Sequence, residues 1–139
     1  MTPTDDQILK MGCAILAMQP FSTLLGAELT AFTEGEAELT LPLREDHLQQ
    51  HGFAHGGVVS YLADNALTFA GGSKLGDVLT VEYKINYQRP AKGVRLIARA
   101  SVLSAGKRFA TCTCSIFAAD DAGAETLVAT AQGTIAARK

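Results

Sequence analysis

Tryptophan is absent from this chain of 139 residues, and aromatic residues of all kinds make up only 6% of it. Cysteine is scarce, since Cys13, Cys112 and Cys114 form an odd set without the C-x-x-C spacing of metal and redox motifs. Cys112 and Cys114 lie two positions apart and would share one face of a strand. We therefore expect buried small hydrophobic side chains or inert thiols at these positions, and neither metal ligands nor nucleophiles.

No charge of one sign dominates, because 12 basic and 14 acidic residues are interspersed and give a formal net charge of −2. This balance argues against a nucleic-acid partner and against attraction to a membrane surface. The apolar stretches are shorter than the roughly 20 residues of a membrane-spanning helix, and the first six residues lack the basic start of a signal peptide. We expect a soluble, cytoplasmic protein whose residues 1–139 form a single domain.

The N-terminal segment has the pattern of a capped helix. Thr4 and Gln7 form a capping box ahead of apolar residues at helical spacing, which predicts a helix over about 4–18. Pro20 is expected to close it.

Strand-like alternation of apolar and polar residues occurs in six further segments, most of them separated by turn residues. In the third of these, Leu79, Val81 and Tyr83 share one face and Thr80 lies on the other. The fourth and fifth flank a turn at 104–107 and are predicted to form a hairpin. The predicted strands are 28–33, 37–43, 79–87, 94–103, 109–118 and 126–136.

A second helix is predicted between the second and third strands. Residues 44–54 lose all periodicity and lead as a loop into a nearly wholly apolar helix over about 55–71, with Gly71 and Gly72 as a natural C-cap. A helix that is apolar all round must be covered on most sides. The order of elements therefore predicts an α+β domain in which one antiparallel sheet wraps the long helix.

Asp64 is the residue of this helix that most needs an explanation. A carboxylate in an apolar run costs several kcal/mol to keep ionised unless it is paired or used. The helix begins at His55-Gly56-Gly57, where unpaired backbone N–H groups and the helix dipole favour an oxygen that gathers negative charge. Gly56 and Gly57 would let a substrate approach the backbone closely, as in an oxyanion hole.

Helix geometry separates these two features within one chain. Nine residues from His55 to Asp64 correspond to a rotation of roughly 180° and a rise of about 13–14 Å. Two chains whose central helices pack antiparallel would bring Asp64 of one chain opposite Gly56 of the other. We therefore predict a site shared between subunits, in which Asp64 attacks a carbonyl carbon or removes a proton from water.

Three segments carry a resemblance to a known family. Residues 49–57 (QQHGFAHGG), 62–66 (LADNA) and 80–91 (TVEYKINYQRPA) together resemble the hotdog-fold thioesterases of the PaaI type, the phenylacetate-pathway-like acyl-CoA thioesterases. The resemblance spans about residues 25–136. It implies a hotdog fold, with an antiparallel sheet wrapped around a long central helix, and homodimers that assemble into homotetramers. It also implies hydrolysis of an acyl-CoA thioester at the dimer interface, without a cofactor, since coenzyme A is part of the substrate.

The resemblance assigns roles to residues near the start of the central helix. The backbone N–H of Gly56 would polarise the thioester carbonyl, and Gln49 would add a side-chain donor. His55 would orient the loop or act near the thiolate leaving group.

Further roles fall on the carboxylate and its neighbours. Asp64 of the facing chain would be the nucleophile or the general base. Thr68, one helical turn beyond Asp64, could hold the water, and Thr80 occupies a place where related enzymes carry a small hydroxyl.

Substrate contacts are expected from apolar and cationic side chains. The acyl pocket would be lined by residues such as Phe53, Val58, Tyr61 and Leu62. The phosphates of coenzyme A would meet cations near strand ends, and the candidates are Arg89, Lys92, Lys107 and Arg108.

Structural roles compete with several of these assignments. Asp64 could pair with a buried arginine, Gly56 and Gly57 could serve close packing at a helix start, and Gln49 could be a solvated loop residue. His47, His51 and His55 have the spacing of a helical metal face, but Gly52 and the aperiodic loop argue against a helix there, so no metal site is predicted.

The sequence therefore predicts an acyl-CoA thioesterase. The alternatives are a hydratase or dehydratase acting on acyl thioesters, which the presence of His55 keeps open, and a noncatalytic acyl-CoA-binding module. The sequence leaves the acyl group open among aromatic, hydroxyaromatic and medium-chain acids.

Overall fold

Three α-helices, six strands and one short 3₁₀ turn make up the chain, in a computed structural model that describes residues 2–138. The helices are α1 (Asp5–Ala17), α2 (Pro20–Leu25) and α3 (Gly56–Leu75), and a 3₁₀ turn spans Glu45–His47. The strands are β1 (Glu28–Thr33), β2 (Glu36–Pro42), β3 (Val78–Tyr87), β4 (Arg95–Ala105), β5 (Phe109–Ala119) and β6 (Glu125–Ala137).

The six strands form one antiparallel sheet in the order β1-β2-β4-β5-β6-β3, which curves around α3. Alternate residues of the strands face the helix and build the core, as with Leu39 on β2, Leu96 on β4 and Ile116 on β5. On α3 itself, Leu62 and Leu67 are fully buried. The α+β hotdog prediction is confirmed, because a single antiparallel sheet wraps a 20-residue central helix.

The N-terminal helix α1 has the predicted capping box, in which Thr4 and Gln7 each accept a hydrogen bond from the backbone N–H of the other. The helix ends at Ala17, before Pro20, as predicted, but Pro20 also begins a second helix that was not predicted. Pro20 occupies the first turn of α2, where its missing N–H costs nothing and its fixed φ suits a helix start.

The central helix continues one turn beyond the predicted end, to Leu75, and Gly76 is its C-cap. Gly71 lies inside the helix because α3 packs there against β6. A Cβ at Gly71 would lie 2.8 Å from Cβ of Ile135, closer than real side chains approach. Glycine at this position therefore serves close packing, and a cap prediction based on glycine alone is wrong.

Strand β3 forms one edge of the sheet and does not alternate simply. The pairing with β6 shifts between Thr80 and Glu82, which leaves Val81 as the extra residue of a β-bulge. As a result Thr80 faces α3 together with Tyr83, and not opposite to it as simple alternation predicted. Gly133 of β6 permits the bulge, since a Cβ there would lie 2.5 Å from the carbonyl oxygen of Glu82.

No helix within residues 2–138 is long and apolar enough to cross a membrane.

Candidate active site

The N-terminus of α3 leaves one backbone donor for a ligand. The N–H groups of Val58 and Val59 both donate to the carbonyl oxygen of His55, and the N–H of Gly57 donates to Nδ1 of the His55 ring at 2.8 Å. The N–H of Gly56 has no acceptor among residues 2–138. Of the two glycines singled out from the sequence, Gly56 is therefore the available donor and Gly57 is occupied by the helix cap.

The cap also fixes the tautomer of His55. Because Nδ1 accepts a hydrogen bond, it carries no proton, and the proton of the neutral ring lies on Nε2. Glycine at position 57 leaves room for this arrangement, since a Cβ there would lie 3.1 Å from Nδ1. The exposed His55 can therefore donate a hydrogen bond from Nε2 to a group outside the helix.

A cavity of about 410 Å³ opens beside Gly56. It lies between the loop that precedes α3 and the segment that follows β3. Four residues predicted for the site line it, namely Gln49, Phe53, Gly56 and Arg89. Val59 lines it in place of the predicted Val58, and Leu62 lies in the core.

Gln49 is half-buried in the wall of this cavity. Its Oε1 accepts hydrogen bonds from the backbone N–H groups of His51 and Phe53, at 2.5 and 3.4 Å, which fixes the loop. Its side-chain Nε2 has no acceptor among residues 2–138. An amide donor that is held in place without a partner of its own suits the second-donor role that the sequence suggested.

Tyr87 belongs to the cavity and was not predicted for the site. Its hydroxyl donates to the carbonyl oxygen of Gly56 at 3.1 Å, and its ring lies against the Gly56 backbone. The sequence contained an indication of this role, since Tyr87 ends the predicted strand two residues before Arg89, which was predicted for the site. Tyr87 also shares a strand face with Tyr83.

Asp64 is half-buried on α3, and its Oδ1 accepts a hydrogen bond from the hydroxyl of Thr80 at 2.7 Å. This contact is one of three hydrogen bonds that join β3 to α3 in the described chain. The other two join Tyr83 to Ser60 and Tyr87 to Gly56. The structure thus brings together Asp64 and Thr80, two residues selected separately from the sequence. No arginine or lysine pairs with Asp64 within residues 2–138, so a buried ion pair does not account for it.

Asp64 and Gly56 are not brought together in one chain. Eight residues of helix separate them, a rise of about 12 Å, and Asp64 does not line the cavity at Gly56. Thr68 lies one turn beyond Asp64, but its hydroxyl donates to the backbone carbonyl of Asn65 at 2.7 Å. Thr68 can therefore accept a hydrogen bond from a water molecule while its own proton is engaged.

The remaining predicted residues lie in other places. Tyr61 contacts α2 and does not line the cavity. Arg89 lines the cavity and donates from its guanidinium to the carbonyl of Leu127 at 2.9 Å, and the exposed Lys92 follows it. Arg108 lies at the opposite end of the sheet, in the turn between β4 and β5, beside Phe109.

The histidines show no metal arrangement. His47 is fully buried, accepts from the N–H of Arg44 at Nδ1, and has Nε2 2.9 Å from the carbonyl of Leu25. Within residues 2–138 no three His, Cys, Asp or Glu side chains lie together as a metal site. Burial raises the pKa of the Cys112 thiol to about 11 and that of Cys114 to about 12, so both stay protonated and unreactive near neutral pH.

Comparisons of this chain with known proteins agree on one family. Residues 51–125 match the family described as the Thioesterase superfamily. A protein of Archaeoglobus fulgidus named "Putative esterase" is 31% identical over 113 residues, which cover 81% of this chain and 71% of that protein. A solved thioesterase family protein from Silicibacter pomeroyi is 34% identical and has a TM-score of 0.86, with 96% of this chain and 97% of that chain covered.

The solved PaaI protein of Escherichia coli, from the phenylacetic acid degradation operon, shares the fold. It is 22% identical, has a TM-score of 0.86, and the match covers 99% of this chain and 97% of that chain. The chain therefore belongs to the thioesterase superfamily and shares its hotdog fold with PaaI, and this membership supports a thioester hydrolase activity.

Proposed function

We propose that this protein hydrolyses the thioester of an acyl-CoA to a carboxylic acid and free coenzyme A. The observation that carries the proposal is the Gly56 N–H, a helix N-terminal donor without an acceptor in the described chain, at a residue that lines a cavity. Gln49, whose Nε2 is also without an acceptor in the described chain, lines the same cavity. Two fixed donors can hold the carbonyl oxygen of a thioester and stabilise the negative charge that develops on it. No metal or cofactor takes part in the proposed reaction.

The carboxylate comes from the second subunit in this proposal. Asp64 is held by Thr80 but lies about 12 Å along α3 from Gly56, so one chain contains two halves of different sites. A homodimer with antiparallel α3 helices would place the partner's Asp64 at the cavity beside Gly56. Each dimer would then have two equivalent sites.

The free edge of the sheet supports this dimer. β3 is an edge strand that exposes Leu79 and Val81, at 60% and 57%, and an exposed apolar edge favours pairing with another strand. The residue midway between Gly56 and Asp64 is Ser60, which contacts Tyr83 of β3. Antiparallel pairing of two β3 strands around Tyr83 would therefore set each Asp64 opposite Gly56 of the other chain.

The chemistry follows in two steps. In one route the partner's Asp64 takes a proton from water as the water oxygen bonds to the carbonyl carbon, and the C–S bond then breaks with its electron pair moving to sulfur. In the other route Asp64 attacks that carbon itself, the C–S bond breaks in the same way to leave an anhydride, and water then hydrolyses the anhydride. His55, with its proton on Nε2, can donate a hydrogen bond to the departing thiolate, and the proton taken from water completes the thiol of coenzyme A.

Cations from both chains would meet the phosphates of coenzyme A. Arg89 and Lys92 follow the end of β3 at the cavity. Arg108 lies near the start of β3, because its carbonyl accepts from the N–H of Ala137, which pairs with Val78. Antiparallel pairing of β3 strands would bring the partner's Arg108 toward the end that carries Arg89.

The first experiment is Asp64→Asn, assayed separately for acyl-CoA hydrolysis and for acyl-CoA binding. We expect turnover to fall by about 10³-fold or more while binding is retained. Asp77→Asn, which removes an exposed carboxylate paired with Arg138, is the matched control and should keep full turnover. Near wild-type turnover in Asp64→Asn would overturn the assignment, and hydration of an enoyl-CoA in place of hydrolysis would favour a hydratase.

A second experiment tests the shared site. Asp64→Asn and Gln49→Ala chains are each expected to have low activity. Unfolding and refolding them as an equal mixture gives half mixed dimers, each with one intact site, so about one quarter of wild-type activity should return. Activity that does not return on mixing would show that both residues act within one chain. The assembly of dimers into tetramers and the cytoplasmic location stay predictions, which sedimentation and cell fractionation would check.

A further inference from the structure

The short helix α2 is fixed to α3 by a buried polar network. The hydroxyl of Tyr61 donates to Oγ of Ser22 at 2.5 Å, and Ser22 donates to Oε1 of Gln19 at 2.6 Å. The side-chain Nδ2 of Asn65 lies 3.0 to 3.2 Å from an oxygen of all three and shares its two N–H groups among them. Asn65 and Ser22 are both buried. Because every buried side-chain N and O atom of the described chain has a hydrogen-bond partner, the network is fully satisfied and holds α2 in one position.

This anchored helix nevertheless presents large apolar side chains to solvent. Phe21 is 56% exposed and Leu24 is 65% exposed, although both belong to a helix that is only six residues long. Exposed apolar side chains held on a fixed element are typical of binding surfaces. The polar network is therefore best explained as a support for the positions of Phe21 and Leu24.

The position of α2 relative to Asp64 indicates what these side chains would contact. Gly57, Tyr61, Asp64 and Thr68 lie within roughly 60° of one another around α3 and form a partly open stripe of the helix. Thr80 and its neighbours on β3 border this stripe on one side. On the other side is α2, where the Phe21 ring meets the Tyr61 ring edge-on at a centroid distance of 5.3 Å.

We propose that Phe21 and Leu24 form the apolar wall that receives the acyl group at the Asp64 half of the site, and that they determine which acyl groups are accepted. The inference rests on the proposed function, since it takes Asp64 as the carboxylate that meets the thioester. A wall built from a phenyl ring and a leucine selects apolar acyl groups by their bulk. Tyr61, which was predicted to line the acyl pocket, contributes through its contact with Phe21.

The test is a panel of acyl-CoA thioesters of increasing bulk, from acetyl-CoA through hexanoyl-CoA to phenylacetyl-CoA. In Phe21→Ala the kcat/KM ratio of phenylacetyl-CoA to acetyl-CoA should change by about tenfold or more. Phe21→Trp should change the same ratio in the opposite direction. Met11→Ala is the control, because Met11 is 59% exposed on α1 and takes no part in the network.

Three results would overturn the inference. An unchanged ratio in folded Phe21→Ala and Phe21→Trp would show that the wall does not select the acyl group. If the ratio is unchanged and the dimer dissociates in these variants, α2 is a contact between subunits and not a wall of the acyl pocket. If the wild-type protein hydrolyses no thioester of the panel, the proposed function itself fails, which is distinguishable because the first two results require an active wild type.

Discussion

Thr80 reaches Asp64 only because β3 contains one extra residue between Thr80 and Tyr83. The hydroxyl of Thr80 donates to Oδ1 of Asp64 at 2.7 Å, and the bulge at Val81 turns Thr80 toward α3. Within residues 2–138 this is the side-chain hydrogen bond that holds the Asp64 carboxylate. The orientation of the proposed catalytic carboxylate therefore depends on an edge strand and not on the helix that carries it.

Thr80→Val tests this dependence. Valine keeps the shape of threonine but removes the donor, and a hydrogen bond to a charged group contributes about 1.5–3 kcal/mol. We expect kcat/KM for acyl-CoA hydrolysis to fall by about 10- to 100-fold, with the melting temperature little changed. Thr80→Ser keeps the hydroxyl and should retain most activity. Equal losses in both variants would assign Thr80 a packing role instead.

Gly56→Ala separates the needs of the fold from those of the substrate. A Cβ at position 56 would lie 3.7 Å from the ring of Tyr87, an ordinary contact, and the backbone there does not require glycine. We expect a normally folded protein by circular dichroism and thermal melting. If a thioester oxygen must approach the Gly56 N–H, hydrolysis should fall by about tenfold or more. Full activity would show that no substrate atom comes close to this backbone.

Alanine at two neighbouring glycines of α3 should change the free energy of unfolding in opposite directions. Gly71→Ala places a Cβ 2.8 Å from Ile135 and should lower the free energy of unfolding by about 1–3 kcal/mol. Gly72→Ala meets Val78 at an ordinary 3.5 Å and should raise it by up to about 1 kcal/mol, because alanine loses less backbone entropy. Urea denaturation of both variants checks the pair. The same sign in both would contradict the packing assigned to Gly71.

Arg99 should make folding stability sensitive to acid. Its guanidinium donates to both carboxylate oxygens of Glu125, at 2.7 and 3.0 Å, and these hydrogen bonds lower the pKa of Glu125 below its ordinary value of 4.5. A pKa that is lower in the folded state stabilises the protein above the unfolded value, and this stability is lost as the pH falls through the folded value. Arg99→Met should therefore destabilise the protein at about pH 7 and have less effect at about pH 3.

Urea denaturation at the two pH values measures that difference. Arg138→Met removes the exposed pair with Asp77 and is the control, since exposed pairs contribute little. A destabilisation by Arg99→Met that is the same at both pH values would show that the stacking of Arg99 on Phe117, and not the ion pair, is lost.

Local signals in the sequence were sufficient for most of the fold. Thr4 with Gln7 marked the start of α1, and the strand ends were placed within about two residues, because turn residues and alternation act locally. Gly71 was misread as a cap, and the helix that begins at Pro20 was missed, because a glycine or proline has several uses in a helix. Which use applies depends on what packs against it, here Ile135 for Gly71.

The site was partly predictable for the same reason. Gln49, Gly56 and Asp64 could be selected from residue types and spacing, since their chemistry is visible in the sequence. The contact between Thr80 and Asp64 required a bulge that alternation does not reveal. The cap that occupies the N–H of Gly57 depends on the rotamer of His55, which spacing does not specify.

The three tyrosines of the chain all lie along α3. The hydroxyls of Tyr61, Tyr83 and Tyr87 contact Ser22, Ser60 and Gly56, so each marks a different part of the proposed site. Since the chain has no tryptophan, its native fluorescence comes mainly from these rings. Tyrosine emission therefore reports on ligand binding along α3 without a label, and Phe21→Trp would add a single indole whose emission reports on α2.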